Sequence, residues 1–110
     1  MELSNKYYEI IAEIKLYSPE RGRHTFITDG YRPTIYFGFS EPNDPHYASD
    51  CIIKLINQTK LKPGENATVK IYVIKYFYLR NLLAEKVKLK IKEGGKFIGE
   101  GVITGVLGER

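Results

Sequence analysis

The stretch Lys86-Val87-Lys88-Leu89-Lys90-Ile91-Lys92 alternates lysine with an aliphatic residue along its whole length. Successive side chains of a strand point to opposite faces, so this pattern predicts a half-buried strand with one wet face. Directly after it, Glu93-Gly94-Gly95-Lys96 leads into a second run, Phe97 to Leu107, with Val102, Thr104 and Val106 on one side. A Gly-Gly pair between two strand patterns predicts a tight hairpin. Gly99, Gly101 and Gly105 fall inside the last run. Interior glycine in a strand signals a bend, a bulge or the close approach of another backbone.

The same period of two recurs upstream. In Glu9 to Tyr17, Ile10, Ala12, Ile14 and Leu16 share one face. Thr34 to Phe39 sets Ile35, Phe37 and Phe39 against Thr34, Tyr36 and Gly38, and Cys51 to Ile56 is a further short β-rich run. Thr68 to Phe77 places Val69, Ile71 and Val73 opposite Thr68, Lys70 and Tyr72. Asp29-Gly30 and Pro63-Gly64 are turn signals between these runs. One segment departs from the pattern: Tyr78 to Glu85 holds good helix formers and reads equally as a turn or two of helix or as an anchored connection. About six short strands at even spacing predict a single all-β domain, a small closed or nearly closed barrel.

The residues exclude much chemistry. One cysteine, Cys51, rules out an internal disulfide, and its apolar setting reads as a small core hydrophobe. His24 and His46 lie far apart without spaced ligand partners, so no metal is expected. The 110 residues contain no G-x-x-x-x-G-K-[ST] phosphate loop, and Gly99-Glu100-Gly101 lies in a strand pattern rather than opening a helix. No nucleophile elbow is present. No catalytic residue, cofactor or enzymatic activity is therefore expected. The polar N-terminus lacks the apolar core of a secretory signal, and no apolar run approaches the ~20 residues of a membrane span. A cytoplasmic protein without a membrane partner is the expectation. On that reading the triplets Asn57-Gln58-Thr59 and Asn66-Ala67-Thr68 match glycosylation acceptors by chance.

A binding vocabulary remains. Residues 54–96 hold eleven Lys or Arg against three Glu, a balance of +8, whereas residues 1–53 hold five basic and eight acidic groups, a balance of −3. Positive charge gathered in one segment steers an acidic partner such as RNA or an acidic protein face, or simply keeps a surface soluble. Arg21-Gly22-Arg23-His24-Thr25 offers phosphate and sugar contacts, or forms an ordinary solvated turn. Lys86, Lys88, Lys90 and Lys92 repeat at ~6.5–7 Å along one strand face, a spacing that suits single-strand phosphates or a solvated sheet. Nine tyrosines and five phenylalanines serve base stacking or, more simply, the faces of a sheet.

Three segments in order carry a resemblance. They are Glu20-Arg21-Gly22-Arg23-His24-Thr25, then Gly30-Tyr31-Arg32-Pro33, then Glu93-Gly94-Gly95-Lys96 with Gly99, Gly101 and Val102. They resemble the C-terminal, third domain of elongation factor Tu, whose pattern runs E-G-G-R-H-T, five residues, G-Y-R-P, and later R-E-G-G-R-x-x-G-x-G-V-V. Pro63-Gly64-Glu65-Asn66 is similar to the family's P-G-D-N, and Lys92 to Ile103 follows its last motif. The resemblance covers roughly Ile10 to Leu107. Arg21 and Phe26 depart from it, and the stretches between Pro33 and Pro63 and between Gly64 and Glu93 are longer. Tyr76-Phe77-Tyr78-Leu79 stands where the family has a shorter loop.

The resemblance implies a six-stranded antiparallel barrel over residues 9–108 behind an N-terminal extension, residues 1–8. It implies a domain that holds the T-stem of aminoacyl-tRNA in the intact factor, here without the GTPase domain and second barrel. Carried over by position, Arg23, His24, Glu93 and Gly94 would touch RNA backbone, with Lys92 adding charge, whereas Gly30-Tyr31-Arg32-Pro33 would be structural. Two functions follow as expectations. The first is a module that binds tRNA or other structured RNA. The second is a protein-interaction module that docks on a translation GTPase or another protein, with Tyr76, Phe77, Tyr78 and Leu79 as the candidate interface.

Overall fold

The computed structural model describes residues 7–38, 48–74 and 77–107, the side chains of Phe77, Tyr78 and Arg80 excepted. Residues 1–6 of the expected extension, Phe39 and Tyr76 lie outside the described residues.

Each alternating run becomes a strand because one of its two faces can be buried. The elements are β1 (Tyr7–Leu16), β2 (Ile27–Thr28), β3 (Thr34–Phe37), β4 (Ala48–Leu55), β5 (Lys60–Leu61), β6 (Asn66–Ile74), a 3-10 helix (Phe77–Leu82), β7 (Lys88–Glu93) and β8 (Lys96–Leu107). Six of the strands close into a barrel in the order β1-β6-β4-β3-β7-β8, and β8 pairs back onto β1. Every pairing is antiparallel. The expected all-β barrel is therefore present, and among the described residues the only helical turn is the 3-10 segment. β2 and β5 form a separate two-stranded sheet through Ile27↔Leu61 and Thr28↔Lys60. Strands this short carry no readable period, so the sequence pattern passes over them.

The barrel interior is filled by the inward set of each strand. Ile10, Ala12, Ile14 and Leu16 meet Val69, Ile71, Val73, Ile35, Phe37, Cys51, Ile53, Leu89 and Ile91 in one buried cluster. Burial alternates strictly along β6, as it does along β4. β1 begins at Tyr7, with Tyr8 already in the core, so the barrel starts inside the stretch expected as an extension.

Glycine in β8 permits closure. A Cβ on Gly101 would stand 2.4 Å from the carbonyl oxygen of Glu13 and 2.8 Å from Ile14 Cγ2. β1 and β8 can approach this closely only where β8 has no side chain. Two bulges complete the curvature. Ile11 pairs with Gly105 and Ala12 with Ile103, which leaves Thr104 as the extra residue. Ile91 pairs with Gly99 and Lys92 with Phe97, which leaves Ile98 as another. A bulge bends its strand and re-aims the side chain beside it.

Antiparallel order sets what lies at each end. One end gathers the chain leaving β1, the turn before β6, the start of β3 and the β7–β8 hairpin. The opposite end receives the 3-10 helix, which joins the last residue of β6 to β7. There Leu79 is fully buried and Leu83 nearly so, both within the core cluster, and Leu82 packs against it. This corrects the reading of Leu79 as part of a protein interface. An apolar residue in a connection can close the end of a barrel as readily as face a partner, and Leu79 does the former.

Asp29 ties the small sheet to the barrel. Its Oδ1 accepts from the backbone N–H of Leu55 at 2.8 Å, and its Oδ2 accepts from Lys54 Nζ at 3.2 Å. The Leu55 N–H, then Lys54, hold the Asp29 carboxyl below its ordinary value. A depressed folded pKa gives stability that is present above the unfolded value of about 4 and lost as pH falls through the folded one. Urea midpoints measured from pH 6 downward should therefore fall below about pH 4, and less so in Asp29→Asn than in the parent.

Candidate functional site

The segment from Tyr17 to Phe26 is held at one end of the barrel by its own backbone. Tyr17 N donates to Ile98 O at 2.8 Å, and both Arg21 N and Gly22 N donate to Ser18 O, at 3.0 and 2.9 Å. Tyr17 is buried, its hydroxyl donates to Glu100 Oε1 at 2.9 Å, and the Arg21 guanidinium lies 4.0 Å above its ring. Burial, and then the Glu100 carboxylate, raise the Tyr17 phenol above its ordinary value. These contacts fix the start of the loop against β8.

The hairpin turn comes up beside that loop. β7 and β8 end in the pair Glu93↔Lys96, with Gly94 and Gly95 as the two turn residues and Gly94 at φ 59°. That left-handed conformation is open to glycine at little cost, which is why the expected tight hairpin forms here.

Arg23 joins the two segments. Its Nη1 pairs with Glu93 Oε1 and also reaches the Tyr31 hydroxyl at 3.4 Å. Its Nε donates to Thr25 O at 3.1 Å, and its Nη2 reaches Thr25 Oγ1 at 2.9 Å and Phe26 O at 3.3 Å. A guanidinium has five N–H donors, and these contacts supply five acceptors, so the group is saturated by the protein itself. Only 20% of its side chain is exposed, against 46% for Glu93. Arg23 also lies 5.2 Å from the Tyr31 ring centroid, and Tyr31 donates its own hydroxyl to Glu93 Oε1. The result is a lock between residues separated by seventy positions in the chain.

The lock has a pH signature. Burial, and then the Glu93 carboxylate, push the Tyr31 phenol well above its ordinary value. A raised folded pKa gives stability that is complete below the unfolded value, about 10, and lost as pH rises past it. Denaturation midpoints should drop above about pH 10, and Tyr31→Phe should flatten that drop while lowering stability at neutral pH.

The surface beside the lock is a shallow concavity lined by Gly22, Arg23, His24, Thr25, Glu93, Lys96 and Ile98. His24 and Lys96 are exposed in it, and Gly94 is exposed at the adjoining turn. The structure thus brings Arg23, His24, Glu93 and Gly94 together at one end of the barrel. Lys92 sits apart, on the outer face of β7, with its Nζ 5.3 Å from the ring centroids of both Tyr36 and Phe97. Lys96, which belongs to the hairpin motif but was not among the expected RNA contacts, lines the concavity; its basic position in that motif was the available signal. Among the described residues there is no group of His, Cys, Asp and Glu that could hold a metal, and no helix is long and apolar enough to cross a membrane.

A comparison with protein families finds a match over residues 4–107, to the family described as the elongation factor Tu C-terminal domain.

Proposed function

The chain belongs to the elongation factor Tu C-terminal domain family, and on that premise we propose that it is a non-catalytic, cytoplasmic RNA-binding module of translation elongation whose ligand is tRNA. The observation that supports this reading is the lock: Arg23 and Glu93 hold the 17–26 loop and the Gly94-Gly95 turn side by side. With both segments fixed, His24 and Lys96 present donors on one concave surface, and the backbone of Gly94 is exposed at the adjoining turn. Phosphate and ribose oxygens are acceptors, and recognition of RNA helices rests largely on backbone and 2′-hydroxyl contacts. Arg23 acts in this reading as a positioning residue, since the protein already occupies its donors. Glu93 anchors it and remains exposed enough to accept from a 2′-hydroxyl.

A surface with few phosphate contacts binds weakly and depends on salt. Titration of labelled aminoacyl-tRNA at low salt should give saturable binding, with log K against log[salt] sloping at roughly −2 to −3. Lys96→Ala should weaken binding to all tRNAs alike and reduce that slope by about 1. The double variant Arg23→Ala, His24→Ala should lose most of the affinity. Absence of saturable binding, or binding indifferent to these variants, overturns the proposal. Selective binding of a translation GTPase in place of tRNA would support the protein-docking reading instead.

A further inference from the structure

The outer face of β3, β7 and β8 carries a second feature that the loop–hairpin concavity does not use. The bulge at Ile98 shifts the register so that Phe97 stands across from Lys92, while Ile98 turns into the core. Phe97 and Tyr36 then meet edge to face over β7, with centroids 5.6 Å apart and planes at 72°. Both rings are half-buried rather than covered. Lys92 Nζ is 5.3 Å from each ring centroid, and Lys90 Nζ is 5.6 Å from that of Phe97. Along the same strand Lys88 continues the row, beside a groove of about 520 Å³ that Lys15, Lys88 and Lys90 share with Glu13 and Glu100.

Aromatic rings interleaved with lysines at strand spacing suit one partner chemistry in particular. A sheet repeats at ~6.5–7 Å between residues on one face, comparable to successive phosphates of a single strand. An aromatic face offers a base a stacking surface whatever its sequence, while a double helix keeps its bases stacked on one another. An acidic peptide would answer the lysines but make no use of a re-aimed Phe97. We propose that this face is a stacking platform for an unpaired base of single-stranded RNA, with Phe97 under the base, Tyr36 buttressing it and Lys90 and Lys92 on the flanking phosphates. The proposal rests on the chain being an RNA-binding module and adds a single-stranded site beside the concavity.

The chain contains no tryptophan, so Phe97→Trp introduces a single indole at the platform. Titrating that variant with a 12-nucleotide oligoadenylate at low salt should quench the indole saturably. A duplex of the same length and an oligoglutamate of equal charge should not. In anisotropy titrations Phe97→Leu should weaken single-strand binding on the order of tenfold and leave tRNA binding within twofold, and Phe97→Trp should restore it. Equal single-strand affinity for Phe97→Leu and the parent overturns the platform, as does equal quenching by oligoglutamate. Because the concavity is read through Lys96 and His24, tRNA binding indifferent to Lys96→Ala and His24→Ala, with the oligonucleotide still bound, would refute the concavity alone. Absence of oligonucleotide binding by the parent chain, with tRNA still bound, would refute the platform alone.

Discussion

Replacing Gly101 with valine is expected to destabilise the protein by roughly 3 kcal/mol or more, enough to leave much of it unfolded. The reason is local and specific. Even a methyl group at this position would lie 2.4 Å from a backbone oxygen of β1, and that oxygen cannot move without carrying the β1–β8 pairing with it. Barrel closure depends on that pairing, because β8 joins β1 on one side and β7 on the other. Gly95→Ala is the control: a Cβ there would meet no heavy atom within 4 Å, and the φ of Gly95 is not in the left-handed region. Its effect should stay within about 0.5 kcal/mol. Urea denaturation followed by far-UV circular dichroism compares the two directly.

The second large effect falls on Leu79. Truncation to alanine should cost roughly 2–5 kcal/mol, the range for a leucine removed from a packed core. A surface leucine awaiting a partner would cost no more than about 0.5 kcal/mol. The experiment thus separates a residue that closes the barrel from one that serves an interface. Leu79 is 0% exposed and belongs to the same cluster as Phe37 and Leu89, which supports the higher figure. Truncation should also leave the Arg23 lock intact, since the 3-10 helix and the 17–26 loop occupy opposite ends of the barrel.

Those two residues also mark what can be read from the chain. Alternation in Lys86 to Lys92 and in Glu9 to Tyr17 is legible because each strand has one buried face, and a period of two is the direct imprint of that condition. The glycines of β8 announce a close approach, although only the folded barrel places it against Glu13. Leu79 is misread because a short apolar segment outside any period carries no sign of which way it faces. Phe97 is hidden by a bulge, since one extra residue reverses the parity on which alternation depends.

The site divides in the same way. Arg23, His24, Glu93 and Gly94 stand out by their motifs, and they do converge. What the motifs could not convey is that Arg23 is spent on Glu93, Thr25, Phe26 and Tyr31. Three of its five acceptors are local, on Thr25 and Phe26, but the one that completes the lock, Glu93, lies seventy residues away, and no local pattern encodes that contact. The lock predicts coupling: Arg23→Ala and Glu93→Ala should each destabilise the chain by about 1 kcal/mol, and the double variant by less than their sum.

If the loop–hairpin end of the barrel is an RNA surface, tRNA must perturb that end and leave the other untouched. Amide chemical-shift mapping of the ¹⁵N-labelled chain with aminoacyl-tRNA at low salt reads both ends at once. Shifts should concentrate at residues 22–26 and 93–96, with residues around the 3-10 helix unmoved. Shifts confined to the 3-10 helix end, or none anywhere at saturating tRNA, would contradict it.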